Sequence, residues 1–104
     1  MVKIVWTELS ASDLKEIFDY IADDSIRYAS ITVNKIYQRV QPVIENPYIG
    51  RMVPEFLEKS IREVIEGNYR IIYRLRSKSQ IDILRVYHVA RSLKKIHLFL
   101  PLME

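Results

Sequence analysis

Three stretches near the end of the chain decide its fold: Ile61-Arg62-Glu63-Val64, Asn68-Tyr69-Arg70-Ile71-Ile72-Tyr73-Arg74 and Ile81-Asp82-Ile83-Leu84-Arg85-Val86-Tyr87-His88-Val89-Ala90-Arg91. Each is rich in β-branched and aromatic residues, which is typical of β-strands. Glu66-Gly67-Asn68 predicts a tight turn between the first two, and Ser77-Lys78-Ser79-Gln80 predicts one between the last two. The three stretches therefore predict an antiparallel meander.

Every strand of the predicted meander carries arginine, a residue that is seldom fully buried without a partner. Strand alternation places Arg70 and Arg74 on one face, and the third strand should bring Arg85 to the same side. We expect a single cationic face, which suits the phosphate groups of nucleic acid or nucleotide. His88 has the opposite parity to Arg85, so it joins this face only if the strand bulges or ends at Tyr87.

The first half of the chain predicts one strand and two helices. Residues 2–6 are short, β-branched and aromatic, which indicates a strand. Ser10, with Asp13 three residues later, has the pattern of a capping box that starts the first helix. A second helix is predicted from about Ile26 to Glu45, with Pro42 expected to kink it or end it nearby. Because almost nothing joins the helices, they should form an antiparallel hairpin.

The order of these elements predicts an α+β fold. Residues 46–60 contain Pro47, Gly50 and Pro54 without a regular period, so they predict a loop. Residues 1–104 are expected to form one domain, with a mostly antiparallel four-stranded sheet and the helical hairpin packed on one face. A short helix over residues 91–100 is a further prediction. The second face of the sheet should stay open or meet a partner.

Composition excludes several classes of protein. The chain is 49% hydrophobic and 28% charged, as ordinary soluble domains are. It has no cysteine, which excludes a disulfide framework, a thiol nucleophile and cysteine-ligated zinc. With only two histidines, no metal site and no cofactor are predicted. We expect a cytoplasmic protein with no membrane partner, since neither a signal peptide nor a membrane-length apolar run is present.

Charge is distributed unevenly along the chain. The overall formal charge is +3, but residues 8–28 carry a net charge of −4 and residues 61–95 a net charge of +6. This asymmetry favours a polyanionic partner at the basic end. The alternative interpretation is a solvated surface on which like charges happen to segregate.

Short motifs also occur in a fixed order along nearly the whole chain: Asp13-Leu14, Asp19-Tyr20-Ile21, Asn46-Pro47, Gly50-Arg51, Arg62-Glu63, the run from Asn68 to Tyr73 and the run from Val86 to Arg91. This ordered set resembles the RelE/ParE toxins of bacterial and archaeal type II toxin–antitoxin pairs. The strand–helix–helix–strand–strand–strand order of that family agrees with the order predicted above.

In the RelE branch, the resemblance implies ribosome-associated, metal-independent cleavage of mRNA through attack by a ribose 2′-hydroxyl. Such chemistry needs a base, cations for the charged phosphorane and an acid. Arg70 resembles the strand arginine that contacts the scissile phosphate, and Arg91 resembles a second cation. Arg62 stands where that branch places a basic residue, and His88 matches an acid or base. The bases assigned to RNA binding are Arg74, Arg85, Lys94 and Lys95.

Two residues differ from the RelE pattern, which favours considering another activity. His97 stands where RelE has a tyrosine, six residues after Arg91, and Ser60 stands where a lysine would be useful. The alternative is the ParE branch, whose members are thought to poison DNA gyrase and cleave no RNA. A plain nucleic-acid-binding module is the third hypothesis.

The resemblance also implies a partner. A cognate acidic antitoxin, encoded beside this chain, would lay a hydrophobic helix or strand across the toxin and form a hetero-oligomer with it. The target would be the ribosome and its mRNA, or DNA gyrase in the alternative.

Each candidate residue has an ordinary structural interpretation as well. Arg70 can pair with Glu63 or Asp82 across the sheet. His88 can cap a backbone carbonyl at the strand end, and His97 can lie on the surface. Base stacking and core packing are the two interpretations of three strand tyrosines, Tyr69, Tyr73 and Tyr87.

Overall fold

The computed structural model describes residues 2–90, in which two helices pack on one face of a five-stranded mixed sheet. The elements are β1 (Lys3–Trp6), α1 (Glu8–Ala22), α2 (Ile26–Glu45), β2 (Arg51–Met52), β3 (Ile61–Glu66), β4 (Tyr69–Ser77) and β5 (Gln80–His88). The strand order is β1-β5-β4-β3-β2, with β1 parallel to β5 and the other neighbours antiparallel. The α+β prediction is confirmed. The short strand β2 within the predicted loop makes a fifth, and the helix predicted over 91–100 lies outside the described residues.

The first helix begins earlier than its capping pattern predicts. Thr7, in extended conformation, is the N-cap, and its Oγ1 accepts a hydrogen bond from the Ser10 N–H at 3.2 Å. The same hydroxyl donates to the carbonyl of Ile83 at 2.8 Å, which ties the start of α1 to β5. Ser10 is buried within the first turn. The prediction that Ser10 caps α1 is therefore wrong, because Thr7 offers both the cap and the link to the sheet.

The second helix has the predicted bounds. Ser25 is its N-cap, and the Ser25 Oγ accepts a hydrogen bond from the Tyr28 N–H at 3.0 Å. Pro42 lies in the last turn and the helix ends at Glu45, which confirms that it ends near the proline. Across residues 2–90, no helix combines the length and apolarity needed to cross a membrane.

Apolar side chains lie on both faces of the sheet. Ile71 and Tyr73 of β4 face the helices and join the main core, as alternation predicts. Ile72 points to the other face, which holds a second buried cluster. The members of that cluster are Val53, Ile61, Ile72, Leu84 and Tyr87. The face expected to stay open is thus partly apolar, and it is closed by Val53 from the segment that follows β2.

A β-bulge at Leu84 changes which side chains share a face of β5. Ile72 pairs with Arg85 while the next residue, Tyr73, pairs with Ile83, so Leu84 is an extra residue in β5. Ile83 packs in the core under the helices, whereas Arg85 and Tyr87 lie on the opposite face. Arg85 therefore lies on the face of Arg70, as predicted, but Ile83, which strict alternation would place beside Arg85 and Tyr87, lies on the helix side.

Tyr73 anchors the segment that leads into β2. Its hydroxyl donates to the Pro47 carbonyl at 2.8 Å and accepts from the Gly50 N–H at 3.0 Å. Gly50 is required here because a Cβ at this position would lie 2.5 Å from the Glu63 backbone oxygen. This close approach holds the middle of the predicted loop against β3, where β2 forms.

Tyr73→Phe is expected to lower the free energy of unfolding by about 1–3 kcal/mol, since the buried Gly50 N–H loses its acceptor. Burial raises the pKa of the Tyr73 phenol, so its contribution is complete below about pH 10 and is lost as pH rises through the folded-state pKa. Urea denaturation at neutral and alkaline pH measures both effects. Tyr37→Phe, at a more exposed ring packed against Trp6, is the control. Equal losses in the two variants would contradict the prediction.

Candidate functional site

Arg70 is held by two carboxylates on the face of the sheet away from the helices. Its Nε donates to Glu63 Oε1 at 2.7 Å, and Nη1 and Nη2 donate to the two oxygens of Glu55, each at 2.9 Å. Arg70 is only 6% exposed, and Glu63 is also buried. The hydrogen bonds to Glu55 and Glu63 raise the pKa of the guanidinium above its usual value, although burial acts to lower it. The cross-strand pairing of Arg70 with Glu63 is confirmed.

This ion pair belongs to a larger network. Arg51 Nε donates to the second oxygen of Glu63 at 2.6 Å, so Glu63 bridges two arginines. Two guanidinium groups and two carboxylates give the cluster no net charge. A phosphate group would have to compete with the Glu55 carboxylate, because Arg70 is buried and both of its Nη atoms already donate to that carboxylate.

Arg74 and Arg76 both lie beside Asp82. The distances to Asp82 Oδ2 are 3.6 Å from Arg74 Nη2 and 3.2 Å from Arg76 Nη1. The other Asp82 oxygen accepts from Gln80 Nε2 at 2.7 Å. Asp82 is therefore the partner of these two arginines and of Gln80, rather than of Arg70.

Arg85 reaches around the edge of β5 to α1. Its Nε and Nη2 donate to Asp13 Oδ2 and Oδ1 at 2.8 and 3.0 Å, and the Val86 N–H donates to Oδ2 at 2.9 Å. The guanidinium carbon lies 4.5 Å from the centre of the Tyr87 ring. Burial lowers the pKa of Arg85, but the hydrogen bond and charge of Asp13 outweigh it, so the pKa is raised. Asp13 therefore accepts a hydrogen bond from the edge of β5 beyond the last residue that pairs with β1.

Arg62 lies on the opposite face of the sheet from Arg70. It pairs across the strands with Tyr73, on the side of the main core. Its Nη1 donates to the Gly50 carbonyl at 2.8 Å, and its guanidinium carbon lies 4.8 Å from the centre of the Tyr48 ring.

Arg70, Arg74 and Arg85 share the face of the sheet away from the helices, as predicted, whereas Arg62 lies on the helix side. Within residues 2–90 that face does not present free positive charge, because carboxylates pair with its arginines. Their catalytic and RNA-binding roles stay predictions. Four further residues named in the sequence lie outside the described residues: Arg91, Lys94, Lys95 and His97.

His88 lies on the helix side of the sheet, opposite Arg70. It pairs across the strands with Tyr69, and the two rings meet edge to face with centres 5.9 Å apart. Its Nδ1 accepts a hydrogen bond from the Ala90 N–H at 3.2 Å, so the neutral ring carries its proton on Nε2. In this arrangement Nε2 is a donor, and His88 and Arg70 do not meet over one reacting group.

A cleft of about 510 Å³ opens between α1 and the ends of β4 and β5. It is lined by Asp13, Glu16, Ile17, Tyr20, Tyr69, Val86, Tyr87 and His88. Sequence reasoning missed Glu16 and Tyr20 as candidate site residues, although their spacing of four places them on one face of α1. Residues 2–90 contain no group of three or more acidic or histidine side chains that could hold a metal ion.

The comparison with protein families identifies this fold. The model of the ParE toxin of the type II toxin–antitoxin system parDE matches residues 4–93, most of the chain. This chain belongs to the ParE toxin family. The resemblance to RelE/ParE toxins is confirmed, and the protein is a toxin of the type II toxin–antitoxin class.

Solved structures agree with this assignment. A chain of the chromosomal ParDE toxin–antitoxin system from P. aeruginosa matches with a TM-score of 0.70 and 26% identity, covering 86% of this chain and 97% of that one. A chain of the toxin–antitoxin complex RelBE2 from Mycobacterium tuberculosis has a TM-score of 0.55 and 20% identity, covering 84% and 96%. The second similarity supports the fold alone. A search of curated proteins returned no match.

Proposed function

We propose that this toxin arrests growth in the manner of the ParE branch, by poisoning DNA gyrase without cleaving RNA. The observation that supports this choice over mRNA cleavage is the occupied guanidinium of Arg70. Its Nε and both Nη atoms donate to the carboxylates of Glu55 and Glu63, so the side chain acts as a structural cation. The ParDE structure from P. aeruginosa, with 26% identity, favours the same branch.

The positions of the candidate catalytic residues within 2–90 support this proposal over the nuclease hypothesis. Attack by a ribose hydroxyl needs an acid or base and cations around one phosphate. His88 and Arg62 lie on the helix side of the sheet, whereas Arg70 lies on the other face. Bringing Arg70 to a phosphate would also separate it from Glu55, leaving a partly buried carboxylate without its guanidinium.

An antitoxin is the second part of the proposal, because both matched structures are described as toxin–antitoxin systems. The helical hairpin exposes large apolar side chains that a bound segment could cover: Tyr20, Ile26 and Tyr28. We expect an acidic antitoxin, encoded beside the toxin, to form a hetero-oligomer with it.

The test adds the purified toxin to a DNA gyrase supercoiling assay and to a cell-free translation reaction. Supercoiling should be inhibited, and the inhibition should disappear when the antitoxin is added first. Primer extension on the translated mRNA should show no new ends. Cleaved mRNA together with normal supercoiling would overturn the proposal in favour of the RelE-like activity.

A further inference from the structure

One wall of the cleft beside α1 carries more negative than positive charge. Asp13 and Glu16 both line it, and Arg85 binds Asp13 through two hydrogen bonds. Glu16 is exposed and makes no ion pair with any residue between 2 and 90. His88, the remaining titratable nitrogen base in the lining, has its Nδ1 occupied by the Ala90 N–H. Counted over residues 2–90, Asp13 and Glu16 against Arg85 give this wall a net charge of −1, and the charge of Glu16 is close enough to act on Arg85.

Aromatic rings line both sides of the cleft: Tyr69 and His88 belong to β4 and β5, whereas Tyr20 lies on α1 beside Glu16. Tyr69 and His88 meet edge to face, and Tyr20 extends from α1 with 80% of its surface exposed. Burial is the main cause that raises the pKa of the Tyr69 phenol, and the nearby phenols of Tyr20 and Tyr28 raise it further. The three tyrosines therefore lie in one region. Aromatic faces attract cations, most often the guanidinium group of arginine.

We propose that this cleft is a docking site for an arginine side chain presented by a partner polypeptide. A guanidinium group is planar, donates two parallel hydrogen bonds to a carboxylate and stacks on aromatic rings. Glu16 supplies the carboxylate, and Tyr20 and Tyr69 supply the rings. The site does not depend on whether the toxin acts on gyrase or on mRNA.

A polypeptide fits this surface better than a free small cation, because a second cavity also has Tyr69 in its lining and offers further contacts. That cavity, of about 270 Å³, shares Tyr69 with the first and is also lined by Tyr28, Lys35 and Glu66. The two cavities therefore both lie on the surface around Tyr69, near the end of the helical hairpin. Exposed tyrosines at their rims are typical of protein interfaces.

The experiment titrates the full-length toxin with short glycine–alanine peptides and follows its backbone amides by NMR. A peptide with one central arginine should shift the signals of Glu16, Tyr20, Tyr69 and His88. Its affinity should exceed that of the same peptide with citrulline, the neutral isostere, by about tenfold. Agmatine, a free guanidinium compound, and the leucine peptide should both bind more weakly than the arginine peptide.

Glu16→Gln should reduce the affinity for the arginine peptide by about tenfold. Glu8→Gln, an equal change of charge at an exposed position of the same helix outside the lining, should leave it unaltered. Equal binding of the arginine and citrulline peptides would overturn the proposal. Tighter binding of the leucine peptide would indicate an apolar docking surface instead, and equal binding of agmatine would indicate a small-cation site. Both outcomes contradict the proposal.

Discussion

Arg70→Ala is expected to lower the free energy of unfolding by about 3–5 kcal/mol, as does the loss of one partner from a buried ion pair. The variant leaves Glu63, which is almost fully buried, with Arg51 as its remaining cation, and it leaves Glu55 without the guanidinium that holds it. Chemical denaturation followed by circular dichroism measures the loss. Reduced toxicity of this variant would then reflect a depleted folded state.

Arg76→Ala provides the matched control for this experiment. It removes the same charge from the same strand, but the Arg76 side chain is 57% exposed and its distance to Asp82 is 3.2 Å. Asp82 is buried but keeps Arg74 and Gln80 as partners, so removal of the exposed Arg76 should cost only about 0–1 kcal/mol. An Arg70→Ala variant that is as stable as Arg76→Ala but has lost its toxicity would assign Arg70 a direct role at a target and refute the structural one.

Asp13→Ala is expected to have a comparable effect, about 3–5 kcal/mol, because three hydrogen bonds disappear at once. The Arg85 guanidinium loses its bidentate acceptor, and the Val86 N–H at the edge of β5 loses its only acceptor among the residues described. The helix α1 also loses its main polar link to β5. Chemical denaturation again measures the change.

Asp19→Ala is the control on the same helix. The Asp19 carboxylate lies 2.8 Å from Lys15 Nζ, but both side chains are exposed, so the expected loss is below about 0.5 kcal/mol. Asp13→Asn keeps the shape of the side chain while removing its charge, and its loss in the free energy of unfolding should lie between those of Asp13→Ala and Asp19→Ala. Similar stabilities for Asp13→Ala and Asp19→Ala would show that the link between α1 and β5 contributes little.

The fold could be predicted because its signals are local. Alternating apolar residues in β4, the turn at Gly67 and helical spacing between Ile26 and Glu45 each act within one element. The pairing of β1 with β5 could not be derived in this way, since it joins residues at opposite ends of the described chain. The cap at Thr7 was missed because its second hydrogen bond goes to Ile83, far along the sequence.

The candidate site was harder to predict because charge alone does not identify a partner. Arg70 was correctly placed on the face away from the helices, but its main partner, Glu55, lies in an irregular segment whose path the sequence does not indicate. Arg85 finds Asp13 only after α1 has packed beside β5. Family membership could be predicted because the order of the motifs along the chain indicates the fold. The partner that each arginine binds depends on tertiary contacts, which the sequence does not indicate.

The extra residue at Leu84 determines where β5 can lose a residue without changing which side chains face the helices. A deletion at Leu84 would remove the irregularity while leaving Ile83 and Val86 on the helix side, so both halves of β5 would keep their orientation. A deletion of Arg85, the other residue of the bulge, would have the same effect, whereas a deletion elsewhere inside the strand would invert one part of it, because neighbouring side chains point in opposite directions. Relatives that differ from this toxin by a single residue in β5 should therefore carry the gap at this point.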